Sequence, residues 1–237
     1  MSAKAEALAQ LNALLRAEIM CEPSDYPPVP GEGKAETPVV FIGHSPGGTD
    51  AQTGRPYSGP AGEIFDELLS EAGIARADLY ITNLVKCWCF KEENGGRVNR
   101  NPTAKEIKEW VPAWLKPELE IIQPQAIVCL GGPTAQHFLG KEFKITQAGG
   151  QWLELLATSP YLKLVGGIYQ PRPLVMGIPQ ANYLIHLQEH APEAYPDARA
   201  NLVADLIKVK QVLEGKPPKA KEDKPQRNRG EEVDIPF

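Results

Sequence analysis

The glycine- and proline-rich segment 43–59 is the first of three segments in this sequence that could carry chemistry. It contains His44 and Asp50, both of which can accept a proton, and its glycines would let the backbone approach a ligand closely. The lysine and the glycine spacing of the phosphate-binding fingerprints are absent, so the segment predicts no nucleotide cofactor. A plain turn between a strand and a helix has the same composition, and that alternative stays open.

The other two segments carry an amide and a pair of imidazoles. Asn83 follows a predicted buried strand, where its side chain can offer a donor and an acceptor to the edge of a base. By spacing alone, an Asx turn at the strand end is the favoured interpretation. His186 and His190 lie in a predicted loop after a strand and are candidates for catalysis, although a lone histidine is more often structural.

The elements that must hold these segments alternate between strands and helices. Short apolar runs predict buried strands at 39–42, 79–82, 126–130 and 174–176. Helical periodicity accompanies them at 3–20, 64–69, 103–122 and 197–213, with Pro112 and Pro117 expected to kink or break the third of these helices. The alternation predicts an α/β fold with a central, mostly parallel sheet covered on both faces. Ligands of such folds bind at the carboxyl ends of the strands.

Composition divides the chain into a folded body and a tail. Residues 215–237 contain four prolines, six basic and five acidic side chains, which predicts a disordered tail after a domain of residues 1–214. The net charge of −5 argues against a broadly basic surface that coats nucleic acid, and it leaves room for a local cationic groove. No apolar run reaches the ~18 residues of a membrane span, and the absence of a signal-peptide core predicts a cytoplasmic protein.

Five segments, in order and spacing, resemble the signature of type-4 uracil-DNA glycosylases. They are Val29–Gly33, Gly43–Gly47, Thr53–Gly59, Tyr80–Cys87 and Ile127–Gly131. The resemblance implies a three-layer α/β/α sandwich. It also implies the excision of uracil or a related base from DNA by hydrolysis of the N-glycosidic bond. DNA, single-stranded or with a flipped base, is the implied partner.

The same resemblance implies a base-binding set. Tyr57 is similar to the aromatic residue that stacks on a flipped uracil, and Asn83 is similar to the asparagine that reads the edge of that base. Ser45, in the glycine-rich segment, completes the base-binding set. An aromatic floor with an amide reader suits a base that has been extruded from the stack.

The catalytic positions depart from the family pattern. His44 stands where the family usually has an acidic residue, and Asp50 is an acid of the same loop that could substitute for it. The family's His-Pro pair after the last strand is absent from this sequence. Either His186 or His190 takes that role, or residues 179–182 occupy the position and the histidine is lost.

The family commonly holds an iron–sulfur cluster on four cysteines, and this sequence keeps two of them. Cys21 and Cys87 fall at two of the ligand positions, whereas Glu18 and Trp110 fall at the other two. Because such a cluster needs four thiolates, we expect no cluster, no other cofactor and no metal site here.

The final residues resemble the acidic, Phe-terminated tip of bacterial single-stranded-DNA-binding proteins. In this tip Phe237 would fill an apolar pocket of a replication or repair protein, and the nearby acids would meet basic side chains. The residues implied in partner binding are Asp234, Ile235, Pro236 and Phe237.

Two functions from different classes fit these observations. The first is a glycosylase for uracil or another pyrimidine-derived base; a pocket for hypermodified bases, as in some viral DNAs, is a separate alternative. The second is a catalytically inactive protein of the same fold that binds single-stranded DNA in replication. The retained Tyr57 and Asn83 favour the enzyme, and the tip favours the binding protein.

Overall fold

A six-stranded, mostly parallel sheet forms the centre of the computed structural model, which describes residues 2–164 and 172–220. Its order is β1-β3-β2-β6-β8-β7. The four central strands run parallel, and the short β1 and β7 pair antiparallel at the two edges. The strands, with the separate β4–β5 hairpin, are β1 (Glu32–Gly33), β2 (Val39–Gly43), β3 (Tyr80–Asn83), β4 (Phe90–Glu93), β5 (Gly96–Asn99), β6 (Ala126–Leu130), β7 (Leu153–Glu154) and β8 (Leu174–Ile178).

Helices cover both faces of the sheet, which confirms the predicted three-layer α/β/α architecture. Helices α3, α9 and α10 pack on one face, and α1, α5, α6 and α8 pack on the other. The helices are α1 (Ala3–Glu18), α2 (Gly48–Thr53), α3 (Pro60–Glu71), α4 (Ala104–Trp110), α5 (Lys116–Ile122), α6 (Gly132–Leu139), α7 (Ile145–Ala148), α8 (Pro160–Leu164), α9 (Asn182–His190) and α10 (Tyr195–Leu213).

The continuous apolar runs form strands because both of their faces are buried. Along β2, Val39 and Phe41 contribute to one core cluster while Val40 and Ile42 contribute to the other. Successive side chains of a strand point to opposite faces, so a strand between two helical layers needs apolar residues at every position. These strands therefore set a rigid frame for the segments that follow their carboxyl ends.

The helix predicted over 103–122 is interrupted in the manner that its prolines require. Thr103 caps α4: its hydroxyl accepts the Glu106 N–H, and the Glu106 carboxylate accepts the Thr103 N–H. Residues 111–115 then form a π-helical turn, in which the Lys116 N–H bonds to the carbonyl of Val111. This wider turn accommodates a proline without its N–H, so the chain continues directly into α5.

Three local features differ from the prediction. The glycine-rich segment contains the helix α2, and the hairpin β4–β5 was not foreseen because its strands are largely exposed and lack an apolar pattern. The placement of His186 and His190 in a loop is wrong, since both lie in α9, where Leu184 and Leu187 anchor a buried face.

The predicted tail lies outside the described residues from position 221 onward. Among the described helices, none combines the length and the apolar character needed to cross a bilayer.

Candidate functional site

The carboxyl ends of two neighbouring parallel strands bring the first two candidate segments together. Gly43 at the end of β2 lies in register with Asn83 at the end of β3. The pairing continues beyond the strands, because the N–H groups of Leu84 and Val85 donate to the carbonyls of Gly43 and His44 at 2.9 and 3.1 Å. The side chains of Asn83 and His44 are therefore carried on a rigid backbone.

The side-chain amide of Asn83 is buried without any protein partner. Its relative exposure is 1%, and neither Oδ1 nor Nδ2 has a hydrogen bond among the described residues. The Asx turn favoured by spacing alone is thus not formed. A buried amide that makes no bond costs free energy, and such an orphan is explained when a ligand supplies the missing donor and acceptor.

The Tyr57 ring and the Asn83 side chain both pack closely against the backbone of Gly43. A Cβ atom added to Gly43 would stand 2.3 Å from Asn83 Oδ1 and 2.9 Å from Tyr57 Cε2, so only glycine fits. The Tyr57 backbone has a φ of 53°, in the left-handed region, and its ring packs against Phe65 with centroids 5.6 Å apart. A non-glycine residue in this conformation is held there by its surroundings and is a common feature of functional sites.

Asp50 fastens the loop that presents Tyr57. Its Oδ2 accepts the Gly47 N–H at 3.0 Å, and its Oδ1 accepts the N–H and the hydroxyl of Ser58 at 2.7 and 3.1 Å. These three bonds tie both ends of the segment together across α2. The structure thus gives Asp50 a positioning role, while its catalytic role stays a prediction. Burial, and secondarily the Asp50 carboxylate, raises the pKa of the Tyr57 hydroxyl, which is therefore un-ionised.

His44 is 8% exposed, and its side chain has one hydrogen-bond partner among the described residues. Its Nδ1 lies 2.8 Å from Oδ1 of Asn101, in the segment between β5 and α4. Burial lowers the pKa of His44 below its usual range, and the bond to Asn101 opposes that effect. The imidazole is thus neutral at pH 7. From α6, His137 interacts with it electrostatically, and its pKa is lowered to about 4, first by burial and secondarily by that interaction, which opposes protonation of both rings.

Ser45 follows His44 directly in the glycine-rich segment. Its side chain bonds to Cys89, whose pKa is raised to about 11, first by burial and then by the Glu106 carboxylate. Base binding by Ser45 stays a prediction. His186 and His190 contact each other edge to face on α9, with centroids 4.4 Å apart, and His190 is exposed. The turn that directly follows β8 is formed by residues 179–181, with Gln180 Nε2 donating to the carbonyl of Leu130 at 3.1 Å.

A buried ion pair is hydrogen-bonded to the backbone at the end of β3. Lys86 and Glu118 are 0% and 1% exposed, and their Nζ and Oε2 atoms are 2.6 Å apart. Lys86 also donates to the carbonyl of Asn83 at 2.9 Å, and Glu118 accepts the hydroxyls of Thr82 and Tyr80. Burial lowers the pKa of Lys86, and the Glu118 carboxylate opposes this. The pair therefore fixes the backbone that carries the Asn83 amide.

Four positioning residues escaped the sequence prediction: Lys86, Asn101, Glu118 and His137. Lys86 lies inside the segment Tyr80–Cys87 that resembles the family. A lysine next to a strand end is usually exposed, so its sequence position does not predict burial. The other three come from elements more than 30 residues away in sequence from the side chains they support or face. Only the tertiary fold brings such pairs together.

The residues at the family's iron–sulfur positions do not fit a four-thiolate cluster. Cys21 and Cys87 are joined in a disulfide bond, so neither offers a thiolate. Glu18 is exposed and Trp110 cannot ligate iron. The described residues contain no group of three or more histidine, cysteine or acidic side chains that could hold a metal ion.

Known proteins support the relationship that these residues indicate. The chain is 41% identical to a type-4 uracil-DNA glycosylase of Thermotoga maritima over 129 residues, which is 54% of this chain and 63% of that protein. It is 32% identical to a type-4 uracil-DNA glycosylase of Saccharolobus solfataricus over 193 residues, 80% of this chain and 77% of the relative. A family model described as the uracil DNA glycosylase superfamily matches residues 30–195. The chain therefore belongs to the uracil-DNA glycosylase superfamily.

Proposed function

We propose that this protein excises uracil, or a pyrimidine with the same hydrogen-bonding edge, from DNA by hydrolysis of the N-glycosidic bond. The observation that carries this proposal is the orphaned Asn83 amide against Tyr57. Uracil presents a carbonyl oxygen, O4, next to a donor, the N3–H. Asn83 Nδ2 would donate to O4 while Oδ1 accepts the N3–H, which satisfies both buried atoms at once.

The rest of the reaction follows from the position of this pocket. A base inside a duplex must be extruded before its glycosidic bond can be reached, and single-stranded DNA avoids that cost. Stacking on the Tyr57 ring would contribute about 1–3 kcal/mol to holding the extruded base. Negative charge grows on the base as its bond to C1′ breaks. The bond from Asn83 Nδ2 to O4 would strengthen with that charge and so stabilise the transition state.

A catalytically inactive DNA-binding protein is the second candidate, and one observation favours it. The family's histidine after the last strand has no counterpart in the turn 179–181, and both nearby histidines lie further along, in α9. A protein that kept the base pocket without that histidine would hold a flipped or single-stranded base and release it unchanged.

We further propose that the C-terminal tip links the protein to replication or repair proteins. The support is the sequence of residues 231–237, in which acids precede a terminal Ile235-Pro236-Phe237. A protein lacking residues 235–237 should lose capture of a purified replication protein that has a basic-rimmed apolar pocket. Its DNA affinity should stay equal or become tighter. Unchanged capture would reject this role.

The decisive experiment compares excision with binding. Single- and double-stranded oligonucleotides with one uracil are incubated with stoichiometric protein, and strand breakage at the abasic product is measured beside affinity for undamaged single strands. We expect abasic product from the parent protein, and we expect it to form much more slowly in Tyr57→Ala and in Asn83→Leu. Absence of product, together with tight, uracil-independent and steeply salt-dependent binding, would favour the second candidate.

A further inference from the structure

A hydrogen bond at Nδ1 fixes which nitrogen of the neutral His44 imidazole carries the hydrogen. This Nδ1 lies 2.8 Å from Oδ1 of Asn101. An amide oxygen can only accept, so the hydrogen of this bond belongs to Nδ1. In a neutral imidazole, Nε2 then carries a lone pair and no hydrogen. Among the described residues Nε2 has no partner, so this nitrogen is available to accept a proton.

Asn101 is itself fixed by a chain of charge-assisted bonds. Arg100 donates to the Asn101 carbonyl at 3.0 Å and forms a two-pronged pair with Glu106 at 2.7 and 2.9 Å. Glu106 also accepts the N–H of Thr103 at 2.6 Å, which anchors the start of α4. The backbone of Asn101, which carries the amide that faces His44, is therefore tied to the first turn of a helix.

The groups that face His44 leave it neutral. Asn101 is uncharged, and from α6 His137 has a pKa lowered to about 4, so it carries no charge at pH 7. From the end of β3, the Val85 N–H donates to the His44 carbonyl. A carboxylate hydrogen-bonded to the ring would favour the imidazolium. Among the described residues no carboxylate forms such a bond with His44.

We propose that Asn101 is a positioning residue that holds His44 in the Nδ1–H tautomer, and that Nε2 of His44 is the base for the attacking water. In this step a water O–H bond breaks and its proton goes to Nε2, while the water oxygen bonds to C1′ of the sugar. The bond between C1′ and the base breaks, its electron pair leaves with the base, and the base anion takes a proton from solvent. This inference rests on the proposed excision function.

The first test reads the tautomer without any need for activity. Long-range proton–nitrogen NMR correlations are recorded on the full-length protein labelled with 15N-histidine, and the His44 ring is assigned by comparison with His44→Gln. We expect Nδ1 to show the shift of a protonated nitrogen and Nε2 that of a bare nitrogen at pH 7. In Asn101→Ala, His44 should become a mixture of both tautomers. The reverse pattern, or an unchanged ring in Asn101→Ala, would overturn the proposal.

The second test reads the base through the pH dependence of single-turnover excision. Asn101→Asp places a carboxylate against Nδ1, which favours the imidazolium and raises the pKa of His44 by about 1–3 units. The rate depends on the unprotonated base, so its acidic limb should move to higher pH by the same amount. Asn94→Asp, the same charge change at the exposed tip of the β4–β5 hairpin, is the matched control and should leave the limb in place. An unmoved limb in Asn101→Asp would refute the role of Nε2.

The two tests separate this inference from the function on which it rests. If the predicted tautomer is found and no uracil is excised, the excision function fails and takes the base role with it, while the positioning by Asn101 stands. If uracil is excised and the NMR spectrum shows Nε2 protonated at pH 7, the function stands and the inference is overturned.

Discussion

Replacing Asn83 with leucine should stabilise the free protein while it slows the excision of uracil. Leucine branches at Cγ as asparagine does, so its two methyl groups would occupy the positions of Oδ1 and Nδ2 next to Gly43 and Tyr57. In the free protein those two polar atoms are buried and unpartnered. The substitution therefore removes an unmet hydrogen-bonding demand and adds apolar contact at the same place.

The size of the gain follows from the cost of an unsatisfied buried group. That cost is about 1–3 kcal/mol, and the free energy of unfolding should rise by an amount in this range. For a domain of this size each kcal/mol corresponds to about 2–4 °C in the melting temperature. The same change removes two hydrogen bonds to the base, each worth about 1.5 kcal/mol in the transition state, so kcat/KM for uracil should fall roughly 100-fold.

Urea unfolding and single-turnover excision on the same preparations measure the two effects. Thr134→Val is a matched control, because the Thr134 hydroxyl is also buried and unpartnered but belongs to α6, whereas Tyr57 and Asn83 belong to the segment before α3 and to β3. We expect this control to gain stability and to keep its excision rate. An Asn83→Leu protein that is less stable than the parent would show that the amide is satisfied in the free protein. The central observation on this pocket would then be refuted.

Three further predictions concern the support of the site. Glu118→Gln should lower the free energy of unfolding by about 3–5 kcal/mol in urea titrations, because it leaves the buried Lys86 charge without its partner. Arg100 and the Thr103 cap hold the pKa of Glu106 at about 2, below its value of 4.5 in the unfolded chain. The ionised Glu106 therefore stabilises the fold above pH 4.5, and this contribution is lost as the pH falls toward 2. In Glu106→Gln, the free energy of unfolding should depend less on pH over that interval. Reducing the Cys21–Cys87 disulfide, which spans 66 residues, should cost about 4 kcal/mol, and a melting temperature unmoved by dithiothreitol would contradict this.

Strand and helix positions were predictable wherever burial is two-sided or periodic. The run at 126–130 matches β6 residue for residue, because a strand between two helical layers must be apolar throughout. The hairpin β4–β5 was missed because its strands are mostly exposed and its charged side chains carry no alternation. The apolar pattern of Leu184 and Leu187 is too short to predict a helix around His186 and His190, although both lie in α9.

The candidate site could be predicted in part because its main residues follow strand ends. Gly43 and Asn83 are 40 positions apart in sequence, yet parallel pairing places them in register. Asn101 bonds to the His44 ring, and Lys86 bonds to the Asn83 carbonyl. The sequence around Asn101 and Lys86 does not predict either bond. The role of Asp50 in fastening its loop likewise depends on Ser58, eight residues away across a helix.

The contact between a uracil and the Asn83 side chain is the central claim, and one measurement reads it directly. The NH₂ signals of Asn83 are followed by NMR while an oligonucleotide with a single 2′-fluoro-2′-deoxyuridine is added, because the fluorine slows breakage of the glycosidic bond. We predict that these signals shift with the uracil oligonucleotide and stay in place with the same strand carrying an abasic analogue. Saturated binding of both strands with no difference at the Asn83 signals would contradict the assignment of this pocket.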